Sequence, residues 1–150
     1  IDIDAFIPSA YIKNEFQKLD MYKRIASIQN ADEYGEMLDE LIDRFGELPK
    51  PAANLLLVAL IRAEAHAAGV VQLVHKEKET RIYMHERADV DVAAIPDFLA
   101  EYGRRIQFKA TAKNPYFLVN MNGFKGQGLL LEEKSLVENM LRILCHKELN

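Results

Sequence analysis

Residues 52–85 read AANLLLVALIRAEAHAAGVVQLVHKEKETRIYMH, and the fold class turns on them. From Ala52 to Ala68 the chain is apolar almost all round, broken only by Asn54, Arg62, Glu64 and His66. That is the pattern of a helix buried on every side. Gly69 is a natural stop. Beyond it the apolar repeat shortens from 3.6 to 2: Val70 to Val74 and Arg81 to His85 flank a charged turn, Lys76 to Glu79. This predicts a β-hairpin. A central helix running straight into antiparallel strands argues for an α+β domain.

Upstream, residues 1–12 alternate and then reach Pro8, which suits an extended arm or a short edge strand. Asn14 followed by Gln17 is a helix start. Leu19, Tyr22, Ile25 and Ala26 recur at helical spacing and carry a first helix to about Ile28. Asn30 followed by Glu33 starts a second helix. Its stripe is Tyr34, Met37, Leu38, Leu41, Ile42 and Phe45, and Gly46 ends it. Pro49 and Pro51 punctuate the turn into the central helix, where Pro51 fits a first helical turn.

Downstream, a helix is predicted over about Val92 to Tyr102, closed by Gly103. Arg105 to Thr111 and Tyr116 to Met121 form a second hairpin around Lys113-Asn114-Pro115. Asn122 to Gly128 reads as a glycine-rich loop. Glu132 to Leu149 reads as a last helix with Leu136, Val137, Met140, Leu141 and Leu144 inward. The expected architecture is α+β: N-terminal helices followed by two β-hairpins, each followed by a helix, around one core, as a single domain over residues 1–150.

Composition narrows the function classes. The 150 residues carry a net charge of −4, so the chain as a whole does not attract nucleic acid or an anionic membrane. Cys145 is the one cysteine, which leaves no disulfide framework or thiolate metal cage and fits a cytoplasmic setting. No stretch approaches the roughly 18 to 20 apolar residues of a membrane span. The start at Ile1, inside an alternating segment, reads as a piece cut from a longer protein.

Candidate chemistry is sparse. Gly123-Phe124-Lys125-Gly126-Gln127-Gly128 lacks the Gly-Lys-Ser/Thr order that places a hydroxyl on magnesium and amides around phosphate, so it reads as a connector. His75 and His85 fall at opposite ends of the first hairpin, and His146 beside Cys145 lacks further ligands, so no metal site is expected. Ser9, Ser27 and Ser135 sit in no recognisable elbow, and Cys145 lies on a helix rim. No catalytic residues are expected.

Two surfaces remain. Arg104, Arg105, Lys109, Lys113 and Lys125 gather around the second hairpin with Phe108, Tyr116 and Phe117 among them. A basic, aromatic hairpin can hold single-stranded nucleic acid by charge and stacking, although Phe108 shares a face with Ile106 and Ala110 and is placed most simply in the core. The second helix is more distinctive. Between Asp32 and Glu47 it carries seven acids (Asp32, Glu33, Glu36, Asp39, Glu40, Asp43, Glu47) against Arg44 alone. Glu36, Glu40 and Asp43 point away from the apolar stripe, and like charges this close add nothing to helix stability. They read either as a solvated face or as a docking surface for a basic partner.

Three runs resemble a known family: Ile7-Pro8-Ser9-Ala10-Tyr11-Ile12, Lys18-Leu19-Asp20-Met21-Tyr22-Lys23-Arg24-Ile25-Ala26 and Glu40-Leu41-Ile42-Asp43-Arg44-Phe45-Gly46-Glu47-Leu48-Pro49. Together they look like the C-terminal (TRCF) domain of bacterial transcription-repair coupling factors, over about residues 7–69. Tyr22, Lys23, Arg24, Arg44, Phe45 and Gly46 belong to the shared motif. Residues 70–150 agree in plan only. The resemblance implies a parent that is an ATP-driven translocase on double-stranded DNA, displaces stalled RNA polymerase and recruits excision repair. ATP and magnesium would belong to the parent's motor domains, with no cofactor in this fragment. It also implies that the domain packs on the parent's N-terminal module, which binds the damage-recognition ATPase UvrA, and masks it. Glu40 and Asp43 would then face arginines of that module, with Glu36 as a flanking charge.

Overall fold

The computed structural model describes residues 3–148. Helix α1 (Glu15–Ala26) is capped by Asn14 and α2 (Ala31–Phe45) by Asn30; each asparagine side chain accepts the backbone N–H three residues on, from Gln17 and Glu33. These bonds satisfy amides that a helix start leaves without partners. Gly46 follows α2 with φ of 90°, a conformation that favours glycine. Helix α3 (Lys50–Ala67) carries Pro51 in its first turn.

Strands β1 (Val70–Lys76) and β2 (Glu79–Met84) form the first hairpin. A short 3-10 turn leads into α4 (Ile95–Ala100). Strands β3 (Ile106–Lys109) and β4 (Tyr116–Asn120) form the second hairpin. The two hairpins join through β2 and β4 into one four-stranded antiparallel sheet, ordered β1-β2-β4-β3. Helix α5 (Gly126–Asn139) continues into a wider π turn over Met140–Leu144.

Two apolar clusters use opposite faces of α3. Leu57, Ile61 and Ala65 pack with Ile82, Phe98, Phe117, Val119, Leu136 and Val137 against the sheet, α4 and α5. Leu56 and Ala59 pack with Ile7, Ile12, Met21, Ile25, Met37 and Leu41 beneath α1 and α2. This is why α3 is apolar all round. It also refines the expectation of one core into two clusters that share a helix, with Tyr34 touching both.

Several local expectations need correction. Residues 3–12 form no strand. They run as an arm pinned to α3: the Phe6 amide donates to the Pro51 carbonyl at 3.1 Å and the Asn54 amide to the Asp4 carbonyl at 2.9 Å. Residues 1 and 2 of the expected arm lie outside the described residues. Leu19, Ala26 and Ile42 face solvent rather than the core. The glycine loop ends sooner than expected, because Gly126 already opens α5 and the Gln127 amide donates to Asn54 at 3.0 Å. All five inward residues expected of the last helix are buried, but the helix ends at Leu144 rather than Leu149, because the chain leaves helical geometry over residues 145–148, with His146 at φ of 53°.

Candidate interaction surface

Helices α1 and α2 are tied together by one carboxylate. The Arg24 guanidinium donates to both Glu40 oxygens, each at 2.5 Å. Arg44, one turn along α2, donates to Glu40 at 3.0 Å and lies 4.9 Å over the Phe45 ring. These two guanidinium groups, Arg24 first, hold the Glu40 carboxyl down at about 2. Glu40 therefore has a role inside the domain that charge counting along α2 misses, because its strongest partner is sixteen residues away on another helix.

The other motif residues surround this pair. The Tyr22 hydroxyl accepts the Ile7 amide at 2.8 Å. The Tyr11 hydroxyl lies 3.0 Å from the Leu41 carbonyl and 2.8 Å from that of Gly46, and its ring meets Phe45 at 5.9 Å. The runs that looked like separate signatures thus close on one another, arm to α1 to the end of α2. Lys23 is exposed.

Beside the Arg24–Glu40 pair lies a shallow groove of about 190 Å³ lined by Arg24, Ser27, Ile28, Glu33, Glu36, Met37 and Glu40. Glu36 is exposed on its wall, and Asp43 is exposed one turn beyond Glu40. Among the described residues neither Glu36 nor Asp43 has an ion-pair partner. Glu36 and Asp43 are thus unpaired carboxylates on either side of a Glu40 whose charge is compensated by two arginines.

The Arg24–Glu40 bond has a measurable expectation. Both side chains are partly exposed, so a double-mutant cycle with Arg24→Ala and Glu40→Ala should return a coupling of about 0.5–1 kcal/mol in urea melts. Glu40 is depressed below its ordinary 4.5. Its contribution is therefore complete above that pH and is lost as pH falls toward about 2. A coupling unchanged between neutral pH and pH 2 would contradict the assignment.

The cations that gather around the second hairpin are divided between the interior and the surface. Arg105 is held inside the domain, with Glu132 at 2.6 Å, the Asn120 carbonyl at 3.2 Å and the Phe124 ring 4.9 Å beneath it. Arg104, Lys113 and Lys125 are exposed, and Lys109 is half-buried on β3. Phe108 packs on Phe117 at 4.6 Å, in the core.

Elsewhere, Glu133 is buried and accepts from Thr80 at 3.2 Å, with His75 Nδ1 2.9 Å away. Periodicity gave no sign of this buried acid. Cys145 is half-buried against the sheet-side cluster, and burial pushes its thiol up, as expected of a structural thiol. Among the described residues no helix is long and apolar enough to cross a membrane.

The family model of the TRCF domain matches residues 1–95. The chain belongs to the TRCF domain family. It is 37% identical over 109 residues to the transcription-repair-coupling factor of Bacillus subtilis (strain 168), covering 71% of this chain and 9% of that protein. It is 32% identical over 88 residues to the transcription-repair-coupling factor of Staphylococcus haemolyticus (strain JCSC1435), covering 59% of this chain and 8% of that protein. A crystal structure of the C-terminal domain of transcription-repair coupling factor superposes with a TM-score of 0.87 at 25% identity, covering 99% of this chain and 93% of that one. The TRCF fold therefore extends through the sheet and α5, beyond the segment carrying the motif. This TRCF domain spans about a tenth of the length of the relatives named here.

Proposed function

We propose that this TRCF domain is a non-catalytic clamp within a transcription-repair coupling factor. Its α2 surface packs on the N-terminal module that binds UvrA and masks that module in the resting protein. Release follows when the parent's ATP-driven motor engages double-stranded DNA or RNA polymerase and the contact breaks. The observation that supports this reading is the pair of exposed, unpaired carboxylates Glu36 and Asp43, one on each side of the anchored Glu40.

The arrangement divides the labour among the three acids. Glu40, locked by Arg24 and Arg44, fixes the angle of α2 and keeps its neighbours in register. Glu36 and Asp43, exposed and unpaired among the described residues, are free to meet a basic partner, where such charges set encounter rate and specificity. A preference for the docked state of only a few kcal/mol suffices to keep a site largely covered.

Substituting Glu36→Arg and Asp43→Arg together tests this, since both sites are exposed and neither carries a bond of the fold. Calorimetric titration against the isolated N-terminal module should show affinity falling by about ten-fold or more, with an unchanged melting temperature. Wild-type affinity in the double variant would remove the assignment.

A further inference from the structure

All three helices that touch the sheet, α3, α4 and α5, cluster with Ile82, Phe117 and Val119 on one of its faces. Among the described residues no helix covers the opposite face. There Tyr83 of β2 and Tyr116 of β4 are register partners, their ring centroids 4.9 Å apart. The Arg81 guanidinium sits 5.3 Å from the Tyr116 ring, and Lys109 of β3 is the register partner of Tyr116 on its other side. At the far end of the same two strands, where Glu79 pairs with Asn120, a concavity of about 530 Å³ opens.

The charges around that concavity do not balance. Glu79 is taken by Arg81 at 3.3 Å, and Arg105 by Glu132 at 2.6 Å. Lys76, Lys78 and Arg104 then stand against Glu77 alone. In a chain with a net charge of −4 this is a local positive site, on the face away from the acidic α2. The aromatic pair and the cations are four strand residues apart, roughly 13 Å at the usual rise of a strand. Flat aromatic rings followed at that distance by a cationic hollow suit a polymer that alternates planar bases with phosphates.

We propose that this face binds single-stranded RNA, one base stacking on the Tyr83–Tyr116 pair and the phosphates further along entering the Lys76, Lys78 and Arg104 hollow. A duplex fits poorly, since the site is a shallow sheet face with no helix or ribbon to enter a groove. RNA is favoured over single-stranded DNA because the Gln107 and Asn122 amides line the hollow beside the cations. An amide both donates and accepts hydrogen bonds, which is the chemistry that engages a ribose 2′-hydroxyl. This assignment replaces the hairpin set Arg104, Arg105, Lys109 and Lys113 as the basis of a nucleic-acid site: Arg105 is committed internally, and Lys113 lies in the turn beyond the strands.

Fluorescence anisotropy with labelled oligouridine, length-matched oligothymidine and duplex DNA tests the assignment on the 150-residue chain. Oligouridine should bind several-fold more tightly than either DNA. The slope of log K against log salt should be about −2, as for three phosphate contacts on a single strand. Lys78→Glu with Arg104→Glu should weaken binding by about ten-fold or more and flatten that slope. Tyr83→Ala with Tyr116→Ala should also cost about ten-fold, while Tyr83→Phe with Tyr116→Phe keeps the stacking and most of the affinity. Should the alanine pair fail to fold, the phenylalanine pair and the exposed charge reversals still decide. No binding to oligouridine at low salt, equal or tighter binding to DNA, or indifference to the charge reversals would each overturn the proposal.

Discussion

Phe117→Ala is expected to destabilise the domain by about 3–5 kcal/mol and to move its urea midpoint sharply downward. Phe117 lies at the middle of β4, 1% exposed, in register with Ile82 of β2 and Phe108 of β3. Its ring meets Phe98 of α4 edge-on at 5.2 Å and Phe108 at 4.6 Å. Edge-on and tilted aromatic pairs add about 0.5–1.5 kcal/mol beyond the area they bury. Truncation also leaves a hole that neighbours held on three strands and a helix cannot close. Against a total stability of about 5–15 kcal/mol, this is a large share. Phe16→Ala is the matched control: the same side chain on α1 is 86% exposed, and its loss should change stability by no more than about 0.5 kcal/mol. Equal effects at the two positions would mean that the sheet-side cluster is not what holds the fold together.

That contrast also marks what a single sequence can reveal. Residues bonded to near neighbours along the chain were legible. The asparagine caps at Asn14 and Asn30 act on amides three residues away, and Gly46 and Gly69 stop helices by their own conformations. The all-round apolarity of α3 was legible for another reason: only a helix packed on both sides tolerates it. Leu19 and Ile42 failed because periodicity reports that a stripe exists but not how wide the contact on it is. Of α1 only Met21 and Ile25 are fully buried, with Tyr22 packed at the edge of the cluster. The glycine reading of residues 122–128 failed because a tertiary bond, Gln127 to Asn54, secures the first turn of α5.

The candidate surface divides along the same line. Periodicity placed Glu36, Glu40 and Asp43 away from the apolar stripe, and all three do lie outside the buried core. What it could not supply was the crossing of α1 over α2, which converts Glu40 from a surplus charge into the acceptor for Arg24. The order β1-β2-β4-β3 was equally out of reach. Each hairpin is local, but the choice of β2 to pair with β4 depends on which faces α3 and α5 leave open. The half-buried tyrosine pair, Tyr83 and Tyr116, exists only because of that choice.

Raising the pH from 5 to 8 is expected to destabilise the wild-type domain, and Glu64→Gln should abolish most of the loss. Glu64 is buried on α3, with one carboxyl oxygen left without a hydrogen-bond partner. Burial, followed by the Glu138 carboxylate beside it, pushes its carboxyl up to about 8. Glu138 on α5 is itself paired with Lys134 at 2.9 Å. Glu64 on α3 and Glu138 on α5 thus face one another, with Lys134 on the far side of Glu138. The sign of the pH effect follows from the proton count. In the unfolded chain Glu64 releases its proton near its ordinary 4.5, while the folded domain retains it to about 8. Within that window the unfolded state binds fewer protons, so stability falls as pH rises, with a slope of up to about 1 kcal/mol per pH unit. Glu40 acts at the other end, since its contribution disappears as pH falls toward about 2. These two groups together favour folding most strongly around pH 4.5–5. The glutamine amide introduced by Glu64→Gln would keep a donor for Glu138 and has no proton to lose. Urea melts at successive pH values should therefore show wild type and variant close together near pH 5 and diverging steadily toward pH 8, with the variant the more stable. Parallel profiles would show that Glu64 is already ionised in the folded domain.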